Sequence, residues 1–111
     1  MRMKRAFCKF HKKCYFSDEV ERKNRLMAEI RRGKGGPFAW CILLSGNPCD
    51  QLEIVPAAAL CGEYYRRHPV TVYGVALSKS GAIRTVAKIF HDADAKGMPG
   101  EARRFLEGLD R

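Results

Sequence analysis

The sequence predicts an α+β domain: a small mixed sheet of about three strands, covered by helices, in the order α-β-β-α-β-α-α. Three observations predict it. Two runs, Phe38–Ser45 and Val70–Leu77, are apolar on both faces, as strands of a covered sheet are. The segments around them repeat their apolar residues at helical spacing. The chain has 111 residues, of which 46% are hydrophobic and 30% charged, enough for one domain with one modest core.

Residues 1–16 lack clear periodicity. They fit a short strand from Met3 to Phe10, or an arm that orders on contact. Ser17 then reads as an N-cap, with Asp18, Glu19 and Glu21 in the first turn, where the helix dipole favours anions. Val20, Leu26, Met27 and Ile30 supply an apolar side. Arg31 and Arg32 close the last turn and Gly33 suits the C′ position, so a helix is expected from Ser17 to Arg32. Residues 33–37 form a linker.

The strand Phe38–Ser45 follows, and residues 46–50 carry turn chemistry. Leu52–Val55 is a shorter strand, expected to pair antiparallel with the first. Pro56 fits the first position of a helix running to His68, with the pairs Leu60/Tyr64 and Cys61/Tyr65 facing the sheet. The step from Leu52 through that helix to Leu77 predicts a parallel β-α-β crossover. Ser78 or Ser80 caps the next helix, whose expected inner side is Ile83, Val86, Ala87, Phe90 and Ala93. Gly97 ends it. Pro99 opens a last helix with Ala102, Phe105, Leu106 and Leu109 in a stripe. The expected core is Trp40, Ile42, Leu44, Ile54, Val72, Val75, Ile83, Val86, Phe90, Phe105 and Leu106.

Residues 51–94 resemble small bacterial α/β proteins of uncharacterised function. The features that carry the resemblance are LEIV, a helix ending in YYRR, and then VTVYGVALSKSGAIRTVAKI. The resemblance implies a fold of this general kind and supplies no catalytic residue.

Charge is the informative part of the composition. The formal net charge is +9. Residues 1–36 hold 12 Lys and Arg against 4 Asp and Glu, whereas residues 37–111 hold 9 against 8. A nearly neutral body with a basic front end predicts an anionic partner. Arg2, Lys4, Arg5, Lys9, Lys12 and Lys13 alternate with Phe7, Phe10, Tyr15 and Phe16. Cations neutralise phosphates and rings stack on unpaired bases, so these residues are candidates for nucleic-acid contact. Arg22, Arg25, Arg31, Arg32 and Lys34 extend the basic surface. A solvated basic helix with core aromatics explains the same composition.

Cys8, His11 and Cys14 supply three zinc ligands where a structural site wants four. Their two successive two-residue gaps converge poorly on one ion, so no metal or other cofactor is expected, and a zinc-stapled domain ranks third among the readings. Lysines beside Cys8 and Cys14 would lower a thiol pKa, with His11 as a base. No third, orienting group accompanies them, and no catalytic residue is assigned. Cys41 and Cys61 read as buried hydrophobes. Cys49 follows Pro48 without the rest of a deaminase zinc motif. The run from Leu77 to Gly81 leads from a strand into a helix N-terminus, where an anion can bind but where most junctions are only caps. His91, Asp92 and Asp94 read as a solvated face.

No apolar run spans a membrane and no export signal follows Met1, so a cytoplasmic protein is expected. The expectation is therefore a small accessory or binding protein rather than an enzyme. It would contact nucleic acid or another polyanion through residues 1–36 without reading sequence. The runner-up is a protein-interaction module or homodimer with no nucleic-acid role.

Overall fold

A computed structural model describes residues 5–34, 38–47 and 50–109. The domain is α+β, with a mixed sheet between two layers of helix. In chain order the elements are β1 (Cys8–Phe16), α1 (Lys23–Arg31), β2 (Trp40–Leu44), β3 (Leu52–Pro56), a 3₁₀ helix (Ala57–Cys61), α2 (Glu63–Arg67), β4 (Val70–Ala76), α3 (Lys79–Ala95) and α4 (Ala102–Gly108).

The sheet has four strands in the order β1-β4-β2-β3, rather than about three. The added strand is the basic front segment itself. Phe7 N–H donates to Leu60 O and Val70 N–H to Phe7 O, which hold the entry to β1 against the body. β1 pairs parallel with β4, β4 antiparallel with β2, and β2 antiparallel with β3. β3 and β4 therefore run in the same direction, as expected, with β2 between them.

The sheet buries one cluster on each face. On the first, α1, the 3₁₀ helix and α2 cover Ile30, Cys41, Leu43, Leu60, Val72 and Val75. On the second, α3 and α4 cover Ile42, Tyr73, Ile89, Phe105 and Leu106. Strands buried on both faces read as continuous apolar runs, and this is why β2 and β4 stand out in the sequence. Gly74 stands in β4 where a Cβ would lie 2.7 Å from Ile42 Cδ1. The glycine lets the fully buried Ile42 pack onto the sheet.

Three helix expectations are corrected. α1 begins at Lys23, not Ser17, because residues 17–20 form a turn closed by Val20 N–H to Ser17 O. The expected helix from Pro56 to His68 is broken. Pro56 ends β3, and Gly62 is extended at φ −75°, ψ 162°, so a 3₁₀ turn and the five-residue α2 replace it. Gly62 accounts for the break, since glycine weakens a helix interior. The last helix starts at Ala102 rather than Pro99. α3 keeps its expected span, with Ser78 as the cap.

The core differs in detail. Ile42, Val72, Val75, Phe105 and Leu106 are buried, whereas Trp40, Leu44, Ile54, Val86 and Phe90 are half-buried. Ile83 is 54% exposed. The inner stripe of α3 is Ala82, Thr85, Ile89 and Ala93. Small residues bring the helix close to the sheet, and the bulkier aliphatics fall on the flanks. Tyr64 is exposed and Cys61 half-buried, also against expectation.

Candidate nucleic-acid interface

β1 is an edge strand and its lysines sit where it bends. The parallel pairing runs Cys8–Phe10 against Val70–Val72 and resumes at Tyr15 opposite Gly74. His11–Cys14 thus oppose Tyr73 alone, a long bulge. Lys12 and Lys13 are exposed on it, and Lys9 is exposed just before it. Lys13 N–H donates to His11 Nδ1 at 3.0 Å, which fixes the loop.

α1 lies along the first face of the sheet, close to β1. Arg31 covers the Phe10 ring at 5.0 Å and Lys23 covers Phe16 at 5.2 Å. Arg5 covers Phe7 at 5.6 Å. Each contact joins a cation to a ring face. Strand and helix cations are thereby gathered on two packed elements. Arg22, Arg31, Arg32 and Lys34 are all exposed. Arg25 is held by Glu29 at 3.1 Å. Arg2 and Lys4 lie outside the described residues.

The rings are not free platforms. Phe10, Phe16 and Tyr15 are half-buried, and each of the two phenylalanines carries a cation. Tyr15 belongs to the second core cluster, and its hydroxyl donates to Asp92 Oδ2 at 2.5 Å. That bond also corrects the reading of Asp92 as merely solvated: it ties β1 to α3.

Cys8, His11 and Cys14 are divided by the sheet. Both thiols pack against the first cluster, while the His11 ring stacks on Tyr73 of the second at 5.2 Å. Among the described residues no group of three His, Cys, Asp or Glu side chains is placed to hold a metal. Burial pushes the Cys8 thiol up to about 11, partly offset by Arg31, and the Cys14 thiol up to about 12. This reverses the expectation that neighbouring lysines activate these thiols, since those lysines point to water while the sulfurs are desolvated. Cys49 lies outside the described residues.

A feature not legible in the sequence stands at the carboxyl ends of β1 and β4. These parallel neighbours send their chains to opposite faces, β1 to α1 and β4 to α3. Crevices at such switch points commonly bind ligands. Here the chain fills the position itself. Ser78 Oγ donates to Glu19 Oε2 at 2.8 Å and accepts from Gly81 N–H at 3.0 Å. Ser17 Oγ also donates to Glu19, at 3.1 Å. A Cβ on Gly81 would stand 2.1 Å from Glu19 Oε1. The carboxylate therefore sits over the α3 N-terminus, where a phosphate would otherwise go. The Ser78–Gly81 junction is a cap. No family model, curated protein or solved structure matches the chain. The only signal that could have found the Glu19 contact was its place just after a strand, and that signal reads equally well as a helix start.

Proposed function

We propose that this protein binds a polyanion, nucleic acid first among them, through the cations of β1 and α1 and without reading sequence. One observation carries the reading. Residues 5–34 hold ten Lys and Arg against four Asp and Glu, and among the described residues only Arg25 of those ten is in an ion pair. Unpaired cations on two packed elements leave a field that attracts phosphates.

The placement of the rings refines the reading. Phe10, covered by Arg31, is not offered to a base. Contact is with phosphates, so both duplex and single strand bind, the duplex with the steeper salt dependence. Binding rather than catalysis agrees with thiols held protonated by burial. Of the ways in which the runner-up, an interaction module or homodimer, could assemble, the bulge and lysines argue against pairing through the β1 edge, because charge and bulges blunt an edge strand.

The test is a titration at low salt with single-stranded and duplex oligonucleotides of several unrelated sequences. The expected result is affinities within about threefold across sequences at equal length, the mark of phosphate contact. Binding of one sequence far above the rest, or of none, contradicts the proposal. Binding of an acidic protein with no nucleic-acid binding would instead support an interaction module.

A further inference from the structure

A second site lies where the sheet opens. β2 pairs with β4 only from Trp40–Ala76 to Ile42–Gly74, and beyond that the strands part. Leu43 and Leu44 then face Val70, Thr71 and Tyr73 across a gap. α2 closes its mouth and forms a cavity of about 320 Å³ lined by Leu43, Leu44, Glu53, Tyr64, Tyr65 and His68, among others.

The lining is unusual for so basic a chain. Three aromatic rings meet there. Tyr64 stands edge-on to Tyr65, with centroids 5.1 Å apart and planes at 90°, and lies 4.8 Å from His68. Tyr64 is 63% exposed, so its ring is accessible rather than spent in the core. Among the described residues Glu53 is the one carboxylate of the lining, and no Lys or Arg lines the cavity. Glu53 makes no ion pair among the described residues, whereas the nearby Arg66 and Arg67 are both taken by Glu63, at 2.6 and 3.6 Å. Glu53 is close enough to Tyr65 to help burial raise its hydroxyl pKa. Ring faces attract cations through their quadrupole, and substituted ammonium ions are among the ligands that exposed rings take. A phosphate or a carboxylate would be repelled by Glu53.

We propose that this cavity binds a substituted ammonium cation, with the charge against the accessible ring of Tyr64, which Tyr65 and His68 buttress, and with Glu53 balancing it. The site is independent of the polyanion surface, being built from other residues for a ligand of opposite sign.

The probe is choline, titrated into the full chain at pH 8 and followed by the ring-proton signals of Tyr64, Tyr65 and His68. Its uncharged carbon isostere, 3,3-dimethylbutan-1-ol, is the control. The expected result is saturable shifts with choline and at least about 10-fold weaker binding of the isostere. Glu53→Gln should weaken choline about 10-fold, and Tyr64→Leu should abolish the preference for the charged probe. Tyr64 is exposed, so that variant remains decisive even if Glu53→Gln folds poorly. Equal binding of choline and isostere, no shift by about 50 mM choline, or shifts produced by adenosine monophosphate instead, would each overturn the assignment.

Discussion

Ile89 and Ile83 are six residues apart on one helix and have opposite fates. Ile89 is fully buried against the sheet and Ile83 is half in water. Ile89→Ala should therefore cost about 2–5 kcal/mol, transfer and cavity together. Ile83→Ala should change stability by roughly 0.5 kcal/mol or less, as exposed sites do. Denaturant midpoints of the two variants check this, and equal losses would contradict the assigned face of α3. The sequence hides the distinction because two apolar stripes of α3 both have helical spacing. The deciding factor is the close approach made by Gly81, Ala82 and Thr85, small residues that carry little weight in a hydropathy pattern. The thiols give a second test. Cys8 and Cys14 titrate near 9.0 when exposed and at about 11 and 12 in the fold. Between those limits the folded state holds more protons, so stability is fully present below about pH 9 and falls as pH rises through the folded values. A melting temperature that drops more steeply above pH 9 in the parent than in Cys14→Ala is the expected outcome.

At the level of elements, the legible parts were those decided locally. β2 and β4 announce themselves by apolar runs, and α3 by a serine cap before it and Gly97 after it. β1 was ambiguous because its pattern is interrupted by the bulge from His11 to Cys14. Cys8, Phe10, Cys14 and Phe16 all pack against the first cluster, but the exposed Lys12 breaks the run of alternate apolar positions between them. α1 was misplaced because Ser17, Asp18 and Glu19 have the composition of a helix start. Their partner is distant: Glu19 caps α3 through Ser78, 59 positions later. Ser78→Ala removes that link and the Gly81 N–H bond together. The expected loss is about 1 kcal/mol, in the usual range for an N-cap. Glu19→Gln should cost little more when added to Ser78→Ala, since the two act as one unit. Additive losses in that double-mutant cycle would contradict the coupling.

Over the whole molecule, the charge imbalance was plain from the sequence, but its arrangement was not. The sequence shows aromatics alternating with lysines. The fold turns the rings inward or covers them and leaves the cations outward. Phe10 is therefore no base-stacking platform but part of a cationic surface, and the accessible aromatics lie elsewhere, at Phe38 and Tyr64. Lysines on the β1 bulge also protect a sheet edge. They have a reason to exist without any nucleic acid, which is why composition alone could not decide their role.

The salt dependence of binding separates these two reasons most directly. Each phosphate neutralised releases condensed counterions, so six contacts to a single strand give a log–log slope of about −4. Replacing Lys9, Lys12 and Lys13 together with glutamine should flatten the slope by about 2 and weaken all sequences alike. Replacing Arg66 and Arg67 with glutamine, cations that Glu63 already holds, should leave it unchanged. A parent slope of about −4 that flattens only in the lysine variant is the predicted result; a slope indifferent to those lysines would show that they guard the strand edge and do not hold the ligand.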